Sequence, residues 1–257
     1  MSALLELTGV EIRFGGLRAV AGLDLSVAPG AVHALIGPNG AGKSTVLNAI
    51  SRFVTPAAGA MRFGGESLLS SRPHQVAQRG IGRSFQNIEL CGQLSALDNV
   101  LIGMSTHIAE RNPFWPSPAR LRNERRERDE AMRVLGRVGL GEFADRPARQ
   151  LDFGRQKLLD LARALACRPR LLLLDEPAAG LRASEIRMLD ALLVDLVRRD
   201  GLAILLVEHV MPLVMSIAER ITVLNFGEKI AEGKPEEIRR DPRVIEAYLG
   251  RGVDASD

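Results

Sequence analysis

Cysteine is nearly missing from this chain. Cys91 and Cys167 are its only two, and neither has a second cysteine or a histidine at metal-ligand spacing. That excludes a disulfide framework and a zinc cage of the usual kind, and both thiols read as reduced residues in a reducing compartment. Long apolar runs are missing too: Leu171 to Leu174 and Leu202 to Val207 fall far short of the roughly 20 residues that a membrane-spanning helix needs. The stretch from Met1 to Glu6 has no basic segment and meets an acid before any apolar run develops, so it reads as no signal peptide. Net charge is scarce as well. The 34 basic and 31 acidic side chains leave a formal +3, too weak a field to select nucleic acid as a partner. If this chain serves a membrane, other chains must cross it.

What is present is an ordinary folded composition, 46% hydrophobic and 25% charged, over 257 residues, which suits one large α/β domain with a small insertion. Leu4 to Val10 and Ala31 to Ile36 read as strands, the second running into a glycine-rich turn and a helix over Lys43 to Arg52. Gly59 to Gly65 reads as a short strand ending in a turn, which points to a partly antiparallel sheet near the N-terminus. Pro113, Pro116 and Pro118 break the chain ahead of a highly charged helical stretch, Arg120 to Arg137, where Asp129 and Arg133 lie one turn apart as on a solvated face. This segment has the look of an inserted subdomain. Leu171 to Leu174 and Ala203 to Val207 read as buried parallel strands. The helix between them, Ser184 to Arg199, puts Ile186, Leu189, Leu193, Leu196 and Val197 on one face, as a crossover helix would. Such a doubly wound core binds ligands at the carboxyl ends of its strands.

The chemistry-bearing residues fall at those ends. Gly37, Pro38, Asn39, Gly40, Ala41, Gly42, Lys43, Ser44 and Thr45 fit G-x-x-x-x-G-K-[ST] between a strand and a helix, the context that a phosphate-binding loop requires. Glycines allow a tight turn whose N–H groups face phosphate oxygens, and the helix N-terminus adds a positive dipole end. Lys43 is expected on the β and γ phosphates of a nucleotide, with Ser44 on Mg2+. Asp175 and Glu176 end an apolar strand, so Asp175 is expected to bind magnesium through water. Glu176 is placed to take a proton from the attacking water.

Taken together, these segments resemble the ATP-hydrolysing subunits of ABC transporters over nearly the whole chain. To the phosphate loop they add Ser84-Phe85-Gln86 at the Q-loop position, Leu151-Asp152-Phe153-Gly154-Arg155 at the signature position, Asp175-Glu176-Pro177, and His209 after the next strand. The resemblance implies a P-loop NTPase (RecA-like) core with an antiparallel β subdomain and an inserted α-helical subdomain. Within one domain spanning 1–257, residues 1–86 would hold the β subdomain and the first part of the core. Residues 87–158 would hold the signature subdomain, 159–250 the rest of the core, and 251–257 a flexible tail. The resemblance implies that the nucleotide is ATP, that Gln86 touches magnesium and the attacking water, that His209 senses the γ-phosphate, and that Phe14 stacks on adenine. The signature would grip the nucleotide of a second, head-to-tail subunit. Here it departs from the usual Leu-Ser-Gly-Gly-Gln, keeping only Leu151 and Gly154. Asp152 can still cap the helix that follows. A carboxylate about 4 Å from a phosphate charge would be repelled by roughly 4 kcal/mol at an effective dielectric of 20 unless Arg155 or Lys157 offsets it. Either Asp152 faces away from nucleotide, or the site it completes is impaired.

More narrowly, Phe14-Gly-Gly-Leu17 with Ala19-Val20, the long insertion, Asp175 to Leu181, Glu208-His209 and Ile245 to Gly250 look like the ATPases of branched-chain amino acid importers. That implies a non-identical partner cassette, two polytopic permeases, an external solute-binding protein, and a place on the cytoplasmic face of the inner membrane. The lipopolysaccharide-exporter ATPase is the first rival, and Thr106 to Arg128 argue against it because that relative usually lacks so long an insertion. A soluble ABC ATPase of DNA repair or translation would carry tandem cassettes or a long coiled coil. A P-loop kinase would leave the signature region and His209 idle.

Overall fold

A computed structural model describes residues 3–105 and 118–249. Pro113 and Pro116, the start of the insertion, and the tail at 251–257 lie outside the described residues. Ten strands and nine α-helices are described, in two sheets.

The first sheet is antiparallel, with strand order β2-β1-β4-β5. β1 (Leu5–Phe14) pairs with β2 (Leu17–Val27) and β4 (Ala58–Phe63), and β4 pairs with β5 (Glu66–Ser67). Alternation makes this sheet one-sided: Leu5, Leu7, Val10 and Ile12 of β1 point inward while intervening residues stay wet.

The second sheet, ordered β10-β9-β3-β8-β7-β6, carries the core. β3 (Val32–Ile36), β7 (Leu171–Asp175) and β8 (Ala203–Val207) are buried at every residue, as parallel strands covered on both faces must be. β3 pairs in parallel with β8 and with β9 (Arg220–Asn225), β7 pairs with β8 and with β6 (Ile81–Arg83), and only β10 (Glu228–Gly233) runs antiparallel. The carboxyl ends of β3, β8, β7 and β6 therefore stand side by side. α1 (Lys43–Ile50) and the first sheet cover one face. α6 (Ala183–Asp200) covers the other through Leu189, Leu193 and Leu196, each contributing about 1.5–3 kcal/mol by burial. Ile186 and Val197 are half-buried on the same face, and α6 ends at Gly201, whose φ of 64° suits a helix stop. α2 (Pro73–Gln78), α7 (Met211–Ile217), α8 (Pro235–Arg240) and α9 (Pro242–Leu249) complete this body.

A third apolar cluster belongs to the helical region, where α3 (Ala96–Met104), α4 (Pro118–Arg137) and α5 (Phe153–Ala166) pack through Leu97, Val100, Leu135 and Leu159. Asp129 and Arg133 lie on the exposed side of α4. Neither Cys91 nor Cys167 is joined in a disulfide among the described residues, and the Cys167 thiol donates to the Gly103 oxygen at 3.2 Å. Among the described residues no helix is long and apolar enough to cross a membrane.

His33 is an interior titration site with a measurable consequence. It sits in β3, hydrogen-bonded at 2.8 Å to the Thr222 hydroxyl, and burial lowers its pKa from 6.5 to about 4, against the opposing charge of Glu232. The folded state thus refuses a proton that the unfolded chain takes up below pH 6.5. Stability should be full above that value, fall by about 3 kcal/mol as pH drops to 4, and level off below. Urea unfolding from pH 7 to 4 checks this, with His33→Gln expected to flatten the slope.

Candidate active site

The phosphate loop bends between β3 and α1 in a shape that only small residues allow. A Cβ on Gly37 would stand 2.0 Å from the Leu224 carbonyl oxygen, and one on Gly42 would stand 2.5 Å from that of Ala19. Both have positive φ, 149° and 100°, so a side chain would be strained as well as crowded. Lys43 opens α1 and folds across the loop, donating to the Gly37 oxygen at 2.7 Å and the Pro38 oxygen at 2.9 Å. Burial draws its pKa below the ordinary lysine range, while Glu176 and Asp175 push it back up.

Beside it, the Ser44 hydroxyl donates to Asp175 Oδ1 at 3.2 Å. Asp175 closes β7 and is buried, which raises its pKa; Arg83 is the strongest opposing influence. The Arg83 guanidinium lies 3.5 Å from Asp175 Oδ2, donates to Ser51 Oγ at 3.0 Å, and stacks on Phe85 and Phe53 with centroids 4.9 and 5.7 Å away. Sequence reading missed Arg83, although it lies at the end of the strand that leads to Gln86.

Glu176, one residue past β7, adopts φ +50°, a conformation that costs a non-glycine residue about 1–3 kcal/mol and persists only where the surroundings enforce it. Gln86 Nε2 donates to its Oε2 at 3.1 Å, and His209 Nδ1 stands 3.7 Å from its Oε1. Three segments far apart in sequence thus meet on one carboxylate. Phe14, half-exposed at 50% rather than core, shares with them a cleft of about 980 Å³ lined also by every residue from Gly37 to Thr45. Five further lining residues were not singled out as site residues from sequence: Leu17, Arg18, Ala19, Phe226 and Tyr248. Leu17, Ala19 and Tyr248 lay inside segments read merely as subfamily tags; the Tyr248 hydroxyl is set against the Gly37 backbone.

The signature residues are not brought to this cleft. Asp152 caps α5, accepting from the Arg155 N–H at 2.9 Å, and its other oxygen pairs with the Arg155 guanidinium, which also stacks on Phe143 at 4.4 Å. Capping and charge compensation are therefore both met by Arg155. Lys157 takes no part in offsetting Asp152: its ammonium instead donates to the Glu176 carbonyl at 2.8 Å. Leu151 is buried in the helical cluster. A Cβ on Gly154 would lie 2.6 Å from Glu185 Oε1, the far end of a flexible side chain, so packing accounts for Leu151 alone of the two retained signature residues. Phe153 is half-exposed.

As a divalent-ion site the donor set is hard oxygen: the Ser44 hydroxyl, Asp175, and the Gln86 amide nearby. Among the described residues no three His, Cys, Asp or Glu side chains gather as a cage. Such a sparse set fits Mg2+, which keeps waters and takes remaining oxygens from substrate phosphates.

The family model described as ABC transporter matches residues 20–179, from within β2 to three residues past Glu176. The chain belongs to the ABC transporter family. It is accordingly an ATP-binding cassette with ATPase activity, and its α/β architecture is that of the P-loop cassettes. A second model, described as the branched-chain amino acid ATP-binding cassette transporter, matches residues 228–254 of this cassette. The high-affinity branched-chain amino acid transport ATP-binding protein BraF of Pseudomonas aeruginosa is 43% identical over 96% of this chain and 98% of its own length. LivG of Escherichia coli, which carries the same description, is 39% identical over the same shares. Among solved structures, the ADP conformation of the cassette MJ1267 superposes with a TM-score of 0.84 at 28% identity, covering 98% of this chain and all of that one.

Proposed function

We propose that this cassette hydrolyses ATP for an importer of branched-chain or closely related amino acids, working as half of a head-to-tail dimer beneath two polytopic permeases. The observation that carries the enzymatic part is the convergence of Gln86 and His209 on the Glu176 carboxylate beside the Ser44–Asp175 pair. The amino acid class is supported by the 43% identity to BraF and by the matched segment at 228–254.

In this reading Phe14 takes the adenine face, the loop N–H groups and Lys43 take the phosphates, and Ser44, Asp175 (through water) and Gln86 hold Mg2+. Bound there, magnesium would neutralise charge that develops on the phosphate oxygens. Gln86 holds Glu176 Oε2 and leaves Oε1 to accept the proton of the attacking water. His209, 53% exposed and next to Oε1, is placed to contact the γ-phosphate. Leu151 to Arg155 serve the nucleotide of the other subunit, which is why they stand outside their own cleft. Closure then moves the permeases, and phosphate release lets the dimer reopen. The partner cassette is a non-identical paralogue, the solute arrives on an external binding protein, and the chain sits on the cytoplasmic face of the inner membrane.

The experiment is purification of the tagged chain with its membrane partners, reconstitution into liposomes, and measurement of ATP-driven uptake of leucine, isoleucine and valine. Uptake that requires the external binding protein supports the assignment. An active ATPase complex that moves none of these solutes moves the assignment to another substrate.

A further inference from the structure

We propose that Lys157 is a positioning residue for the general base: its ammonium, carried on the helix that Asp152 caps, holds the Glu176 main chain in the left-handed conformation that aims the carboxylate between Gln86 and His209. The assignment rests on Glu176 as the base.

Two local forces act against the observed backbone. Glu176 has φ +50° without being glycine, and it precedes Pro177, a position that favours extended conformations. Something must over-determine it. Its N–H donates to the Val207 oxygen at 2.8 Å, which ties the turn after β7 to the end of β8. Its carbonyl accepts the Ala179 N–H at 3.2 Å and the Lys157 ammonium at 2.8 Å. The lysine contact is the shorter of the two and is charge-assisted.

Lys157 is half-buried, with its ammonium 5.6 Å from the Phe153 ring centroid. The acids facing it are Glu208, Glu176, Asp160 and Asp175. Glu208 is fully buried and accepts backbone N–H groups from both flanking turns: Ala178 at 2.7 Å, His209 at 2.8 Å and Val210 at 3.0 Å. Lys157 and Glu208 therefore form opposite charges in one brace, with Glu176 on one side and His209 on the other. Because Lys157 rides on α5, displacement of that helix at its Asp152 end is transmitted to Glu176 of the same chain.

The test compares Lys157→Met, Lys157→Arg and Glu176→Gln in the full chain and the complex with which it purifies. For Lys157→Met, kcat should fall about 10- to 100-fold, the penalty of a base displaced by about 1 Å, while KM for ATP and nucleotide affinity stay within about twofold. Lys157→Arg, which can still reach the carbonyl with a cation, should recover most of the rate. In the Glu176→Gln background, adding Lys157→Met should change little, since both act on one group. A Lys157→Met enzyme with full kcat overturns the brace, as does parallel loss of nucleotide affinity and Tm, which would mark a purely structural lysine. If Glu176→Gln itself turns over normally, the general-base reading fails, and that result is distinct from an inactive Glu176→Gln beside a normal Lys157→Met.

Discussion

Lys43→Ala should lose ATP binding by at least about 100-fold, close to 3 kcal/mol, with turnover falling below detection. The ammonium is the one cation that the phosphate loop itself supplies, and two or more charge-assisted contacts to phosphate are worth that much in a partly buried site. The side chain is already folded across the loop onto the Gly37 and Pro38 oxygens, in the cleft that it lines. Titration with a fluorescent ATP analogue and a phosphate-release assay read the two losses. A control is the thermal shift that ATP induces in the parent chain, which should vanish in the variant while the ligand-free Tm stays close to the original. Normal hydrolysis by Lys43→Ala would remove the lysine from the mechanism.

Glu176→Gln should separate binding from chemistry. The amide matches the carboxylate in size, so ATP affinity should persist. Without a proton acceptor on that side chain, kcat should fall by about 100- to 10 000-fold, the range that general-base catalysis supplies. An enzyme that binds ATP but splits it slowly should accumulate as the closed dimer, visible by light scattering in ATP and absent in ADP. Full turnover would place the base elsewhere. The neighbouring geometry makes a milder companion expectation: Gln86 and His209 both face this carboxylate, so their removal should lower kcat less than removal of the base they flank.

Much of the molecule was legible in order along the chain. The phosphate loop announces itself because its function needs glycines, a lysine and a hydroxyl at fixed spacing between a strand and a helix, and the structure places that unit at β3 and α1. The crossover helix was readable from Leu189, Leu193 and Leu196 because a one-sided apolar stripe has a 3.6-residue period. Asp152 was readable as a cap from local chemistry alone. Phe14 was harder, since a phenylalanine near a strand end usually belongs to the core; only its half-exposed place on the cleft settles its surroundings.

Sequence by itself therefore determined the elements whose cause is local: loop, strand, stripe and cap, each set by residues within a turn or two of one another. Tertiary structure decided which charges meet. Parallel pairing of β3 with β8 and of β8 with β7 brings Glu176 to His209, and the addition of β6 brings Arg83 to Asp175. The packing of α5 sends Lys157 to the Glu176 carbonyl rather than to Asp152, five residues away in its own helix. These contacts join residues from 19 to 92 positions apart or reject a nearer partner. Periodicity and propensity carry no record of them, because the burial of whole faces, and not any local preference, sets which strand ends become neighbours.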